Sequence, residues 1–328
     1  MKKTFSLAAI ILVFAMVITA CGGNNAKNSG AGNASNPPAS ETTATATPAP
    51  TEITVKHKLG ETKVKVNPSN VVVFDYGALD TLDKLGVEVK SVAKKSLPTY
   101  LEKYKDEKYV NAGGLKEPDF ETIDGISPEL IIISGRQSDH YKALSEIAPT
   151  IFVGVDNANY MTSFATNVNI LADIFGKQEE AKAALAEVEA SVKAVNEKAT
   201  AAGKKGLIIL SNEGKISAYG PGSRFGIIHD VLGVAPVDAD IKIDTHGNEV
   251  TFEYVAEKNP DYLFVVDRNA ALATESAAKE TIENDLVKNT NAFKNGKIIY
   301  LDPQYWYLSG GGIMSVAAMV AEIDSAIK

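Results

Sequence analysis

The chain has 328 residues, with 41 acidic against 33 basic side chains, a formal net charge of −8 and one cysteine. The acidic balance argues against nucleic acid and against broad adhesion to anionic lipid as partners. A lone cysteine excludes both an internal disulfide framework and a cysteine-based metal cluster.

Lys2 and Lys3, an apolar stretch from Leu7 to Ile18 and small residues leading into Cys21 predict a secretory signal peptide over residues 1–20, not a spanning helix. The run Val17-Ile18-Thr19-Ala20-Cys21 resembles a bacterial lipobox, which implies cleavage before Cys21 and a lipid on its thiol. Behind Cys21, residues 22–51 of the segment 21–51 are mostly Gly, Asn, Ala, Ser, Thr and Pro with almost no large apolar side chain, so they cannot bury enough surface to fold. They read as a tether with a mean span of roughly 30 Å. About 275 residues remain, enough for two lobes.

Residues 53–66 alternate around Gly60 and predict a β-hairpin. From Val71 the pattern becomes alternating β and α: VVVFDYG as a buried strand, ALDTLDKLG as a short helix, VEVKSVA as another strand. Residues 178–201 contain no Gly or Pro and are rich in Ala, Glu and Lys, which predicts one helix of roughly 36 Å. It separates an N-terminal lobe, residues 52–176, from a C-terminal lobe, residues 204–328, with 177–203 as the connection. A stiff connector of this kind implies small motions between lobes, not wide hinge closure. The second half repeats the grammar with GLIIL at 206–210, a Gly-rich turn, FGIIHDVLGV as helix, and KIIYLD at 297–302.

The repetition is literal in one place. Residues 120–136 and 252–268 superpose without a gap at an offset of 132, pairing Phe120 with Phe252, Glu121 with Glu253, Pro128 with Pro260 and Arg136 with Arg268. A second echo sets Leu85-Gly86-Val87 against Leu232-Gly233-Val234. In each copy of the long unit the apolar run after the proline predicts a buried parallel strand, so each arginine falls just past a strand's carboxyl end. In open α/β sheets ligands bind at that edge. Two of the chain's only three arginines lie there; the third, Arg224, sits in Tyr219-Gly220-Pro221-Gly222-Ser223-Arg224-Phe225-Gly226, after GLIIL, and predicts the same placement.

Three convergent guanidinium groups suit a strongly anionic ligand, because they stay charged and offer forked planar donors. Gross attraction is about 4 kcal/mol per charge pair at 4 Å in an effective dielectric of 20, much of it offset by desolvation. Of the four histidines, His57, His140, His229 and His246, His57 in the hairpin and His229 in a helix pattern read as structural or solvated, while His246 lies in a polar turn before the second repeat. Tyr305-Trp306-Tyr307, containing the only tryptophan, follows the last strand and precedes Gly310-Gly311-Gly312 and the final helix. Enzyme signatures are missing: Gly222-Ser223-Arg224-Phe225-Gly226 departs from the nucleophile elbow by one residue, and neither a P-loop nor a His-Glu-x-x-His occurs. A surface-anchored hydrolase using Ser223 and His246 is the rival of a different class.

Over residues 52–328 the wording VVVFDYGALDTLDKLGV, DFETIDGISPELIIISGR, YGPGSRFGIIHDVLGV and LDPQYWYLSGG resembles the substrate-binding proteins of bacterial ABC importers for iron siderophores, haem and cobalamin. Within that group it is most similar to binders of catecholate siderophores, the petrobactin type in particular. The resemblance implies an α/β fold of two Rossmann-like lobes joined by a single long helix, of the periplasmic-binding-protein type. It also implies no catalytic step, no intrinsic cofactor, and a monomer that takes a ferric siderophore to permease subunits served by a cytoplasmic ATPase. The arginines binding catecholate oxygens would be Arg136, Arg224 and Arg268. His246 and Tyr307, with Tyr305 as the alternative tyrosine, would complete the iron shell of a four-donor chelate, and Trp306 beside them would face the ligand. Glu121 and Glu253 would dock on the permease. The same fold with a hydroxamate, citrate, haem or cobalamin cargo is the nearest alternative.

Overall fold

In the computed structural model the protein is described over residues 50–272, 274 and 276–327. The signal segment, Cys21 and the tether up to residue 49 lie outside the described residues. The alternating segment forms β1 (Glu52–His57) and β2 (Gly60–Lys65), paired antiparallel with His57 opposite Gly60. This hairpin is fastened to the next sheet by the Thr62 hydroxyl, which donates to the Thr150 carbonyl at 2.8 Å.

Five short strands, β3 (Val71–Val73), β4 (Ser91–Val92), β5 (Val110–Asn111), β6 (Leu130–Ile133) and β7 (Thr150–Phe152), make an all-parallel sheet in the order β5-β4-β3-β6-β7. Strands β3, β6 and β7 are buried along their whole length, as the unbroken apolar runs require when helices cover both faces. The order reverses between β3 and β6, which opens a crevice at their carboxyl ends.

The second sheet contains β8 (Lys205–Asn212), β9 (Lys215–Tyr219), β10 (Ala235–Pro236), β11 (Asn248–Val250), β12 (Tyr262–Asp267) and β13 (Ile298–Leu301) in the order β11-β9-β8-β12-β13, with β10 beside the start of β8. Strands β8, β12 and β13 run parallel, and β9 and β11 are antiparallel additions. Strand β9 corrects the sequence reading, which ran from GLIIL directly into the glycine-rich turn. The chain doubles back at Glu213 and Gly214, at φ 52 and φ 81, the two successive left-handed residues of a tight hairpin. Arg224 therefore follows an antiparallel strand whose end, Tyr219, lies opposite Ile208, and not the carboxyl end of GLIIL. The expected ten-residue helix is only Ile227–Asp230.

The long repeat holds at the level of single hydrogen bonds. Helices Phe120–Ile126 and Phe252–Lys258 start at Asp119, whose side chain accepts from the Thr122 N–H, and at Thr251, which accepts from Tyr254. Both end on a left-handed residue, Ser127 at φ 47 and Asn259 at φ 44. The prolines after them cannot continue a helix, and the chain enters β6 or β12.

The predicted connector is the helix Gln178–Ala202, closed by Gly203 at φ 61. Its 25 residues give about 37 Å. It is no bare rod: Leu185, Val188 and Val195 share a core with Phe164 and Val168 of the preceding helix, Tyr160–Phe175, and with Met319 and Ile323 of the closing helix, Ile313–Ala326.

The helix Tyr76–Lys84 meets the closing helix at Asp80, which is 0% exposed. Its carboxylate accepts from the backbone N–H groups of Met314 at 3.1 Å and Ser315 at 2.9 Å, which are free donors at a helix start. The Tyr100 hydroxyl lies 3.1 Å from Asp80 Oδ2 and 2.6 Å from Ser309 Oγ. Burial pushes the Asp80 carboxyl up to about 7, against the hydrogen bonds from Ser315 and Met314 that favour the charged form. Because the folded value exceeds the unfolded one of about 4, the contribution of Asp80 to stability is full below about pH 4 and is lost as pH rises through about 7. The melting temperature of the native protein should therefore fall relative to Asp80→Asn across that window. A constant difference between the two proteins would contradict the assignment.

Candidate functional site

Arg136 leaves the carboxyl end of β6 at the first sheet's switch point. Arg268 leaves β12 at the equivalent place in the second sheet, beside Asn212, which ends β8. Asn212 holds Arg268 by accepting from Nη1 at 2.7 Å, a residue the sequence did not mark. Arg224 comes from the loop after β9, where the Gly222 N–H donates to Asp230 at 2.6 Å and the Ser223 hydroxyl donates to the Gly220 carbonyl at 2.5 Å.

All three arginines meet at Tyr307. Arg136 donates from Nη2 to the Tyr307 carbonyl at 2.6 Å and from Nη1 to the Leu308 carbonyl at 3.1 Å. Arg224 donates to the same Tyr307 carbonyl at 2.5 Å, and its guanidinium lies 4.3 Å from the Tyr307 ring centre. Arg268 donates from Nε to the Tyr307 hydroxyl at 3.1 Å. Two guanidinium groups on one carbonyl oxygen repel each other. Burial, with the neighbouring Arg136 charge, moves the Arg224 guanidinium below the ordinary arginine range, but it remains protonated. Among the described residues no arginine forms an ion pair. Each guanidinium has five N–H donors, so most of the donor capacity is available to an anion, although the buried Asp75 carboxyl feels the charge of Arg136.

Tyr307 is presented by a π-helical turn, Gln304–Ser309, which sends three successive aromatics in three directions. Tyr305 packs on Tyr100 with ring centres 4.7 Å apart. Trp306 is 3% exposed in the core, and its indole N–H donates to Glu322 at 2.7 Å. Glu322 also accepts from the Asp302 N–H at 2.9 Å and so anchors the start of the turn. The expectation that Trp306 faces the ligand is thus corrected: a π turn rotates it away from Tyr307, onto the closing helix. Although burial raises the Tyr307 phenol, the Arg268 hydrogen bond and the charges of Arg224 and Arg268 bring it below its ordinary value of 10. That favours phenolate, the form that binds a hard metal.

His246 is exposed in the turn Asp244–Gly247, its N–H donating to Asp244 at 2.8 Å. Gly247 in that turn lies against the Tyr219 ring, next to the Arg224 loop. The pair needed by the hydrolase reading is not assembled, since the Ser223 hydroxyl is buried on Gly220 and His246 stands on a separate loop. Glu121 and Glu253 are exposed at the second residue of their matched helices. An open depression of about 500 Å³ elsewhere, lined by Glu61, Lys63, Tyr141 and Pro149 among others, has no arginine; convergent charge, not volume, marks the site.

Residues 71–305 match the profile of the family described as periplasmic binding protein. The chain is 48% identical over 330 residues to petrobactin-binding protein YclQ of Bacillus subtilis (strain 168), covering 99% of both. The crystal structure of YclQ aligns with a TM-score of 0.83 and 52% identity, covering 84% of this chain and 99% of that one. The periplasmic catecholate-siderophore binding protein VctP of Vibrio cholerae aligns with a TM-score of 0.80 and 36% identity, covering 84% and 99%.

Proposed function

This chain belongs to the periplasmic binding protein family, and from that membership we propose that it is the extracytoplasmic receptor of an ABC importer, capturing a ferric catecholate siderophore of the petrobactin type. The observation that carries this reading is the meeting of all three arginines at Tyr307 with, among the described residues, no carboxylate in an ion pair with them. A ferric ion held by catecholates leaves a complex of about −3, which matches three guanidinium groups. A neutral ferric hydroxamate would leave them uncompensated.

In this reading the guanidinium groups grip the catecholate oxygens with charge-assisted hydrogen bonds. Tyr307, its phenol already lowered, and His246 from its exposed turn reach the iron only when the chelator supplies four donors; Tyr305, packed on Tyr100, does not. The protein carries out no reaction. Cys21 bears the lipid anchor on the outer face of the membrane, and the monomer registers on the permease through Glu121 and Glu253, one from each copy of the repeat. Charge reversal at both glutamates should therefore stop uptake by cells while leaving binding intact.

The test is calorimetric titration of the protein from residue 52 onward with ferric petrobactin and with a neutral ferric hydroxamate. Saturable binding of the first alone is expected. Equal or tighter binding of the hydroxamate would overturn the assignment of cargo.

A further inference from the structure

The loop before β11 contains a feature that the arginine site does not use. Ile243 is 69% exposed, and Ile243 and Leu286 are the large apolar side chains that stand open among the described residues. Its neighbours, Asp240, Lys242, Asp244, Thr245 and His246, are polar, so it is not the edge of a core. A single exposed isoleucine is ordinary; the position of this one is not.

The loop is tied down on both sides. Asp238 accepts from the Tyr254 hydroxyl at 2.8 Å and pairs with Lys258 at 2.8 Å, and the Asn248 side chain donates to the Lys242 carbonyl at 2.6 Å. Between these fixings the loop lies on the turn that presents Arg224, and it can do so because that turn carries glycines. A Cβ at Gly220 would come within 2.9 Å of Ile241 Cβ, and one at Gly222 within 2.9 Å of Ile243 Cδ1. Ile241 is thus the packed foot of the loop. Ile243 is its free apolar tip, held over a residue two positions from Arg224 and three positions before His246.

We propose that Ile243 is an apolar lip of the arginine site that packs on the hydrocarbon linker joining the donor groups of a bound ferric chelate. This rests on the receptor reading above and adds to it a selectivity for linker chemistry. Cations hold the charged iron centre, whereas the methylene arms between donor groups gain nothing from guanidinium and need an apolar surface to leave water. Ile243 is the exposed apolar side chain placed to supply it.

The test compares native protein, Ile243→Asn and Ile243→Leu against two ferric probes: a bis-catecholate whose rings are joined by a polymethylene chain, and unlinked 3,4-dihydroxybenzoate. Ile243→Asn should weaken the linked complex about tenfold and the unlinked complex by less than about twofold, while Ile243→Leu binds both like the native protein. Unchanged affinity for the linked complex would overturn the lip. Equal losses on both probes would also overturn it, since Ile243 would then act only by placing Arg224. If the native protein bound neither probe, the receptor reading would fall and the lip with it.

Discussion

Arg224→Gln is expected to weaken binding of a ferric catecholate by about 10- to 100-fold, from the 1.5–3 kcal/mol typical of a hydrogen bond to a charged group. Arg224 is the informative member of the three because its removal leaves the protein's own bonds largely intact: the Tyr307 carbonyl keeps its bond from Arg136 at 2.6 Å. The change also relieves repulsion, since Arg136 and Arg224 face the same oxygen. The unliganded variant should therefore melt no lower than the native protein while its affinity drops, the expected trade between stability and a site kept charged for a ligand. Replacing all three arginines with glutamine should cost at least about a thousandfold. Titration and thermal melts of the same samples check both halves. A variant that melts lower and binds as well would show that Arg224 is a structural residue.

Gly312→Ala is expected to have the largest effect on stability. A Cβ there would overlap both Asp80 Oδ1 and the Gly77 carbonyl oxygen. Neither neighbour can give way easily. Asp80 is fixed by the N–H groups of Met314 and Ser315, and the Gly77 carbonyl belongs to a helix backbone. The two helices would have to part, at a cost of about 3 kcal/mol or more for overpacking of this kind. For a domain of this size, with an unfolding entropy of about 2.1 cal/mol/K per residue, that lowers the melting temperature by roughly 5 °C. Affinity should fall as well, because Gly310 to Gly312 connect the turn bearing Tyr307 to the closing helix. Thermal denaturation and titration of the variant check this, and a melting temperature within a degree or so of native would contradict the contact geometry.

Features set by local sequence were legible in the chain. The connecting helix follows from its composition, and the strands beginning at Leu130 and Tyr262 follow from apolar runs after a proline. The repeat offset places Arg136 and Arg268 just past the carboxyl ends of two buried strands, and the strand order adds that both ends lie at switch points. What escaped was decided by conformation or by contacts distant in sequence. Strand β9 depends on two left-handed residues at Glu213 and Gly214, and without them Arg224 was placed on the wrong strand. Tyr305, Trp306 and Tyr307 looked like one cluster, and only the pitch of a π turn sends Trp306 to Glu322 and Tyr307 to the arginines. Asn212 supports Arg268 from 56 residues away and Asp80 caps a helix 234 residues ahead, pairings that no local pattern encodes.

The measurement that tests the central claim most directly is anomalous diffraction at the iron edge from crystals grown with a ferric catecholate. The iron is expected between the guanidinium groups of Arg136, Arg224 and Arg268, beside Tyr307. An iron peak anywhere else on the protein, with Arg136 and Arg224 still closed on the Tyr307 and Leu308 carbonyls and Arg268 on the Tyr307 hydroxyl, would contradict the account.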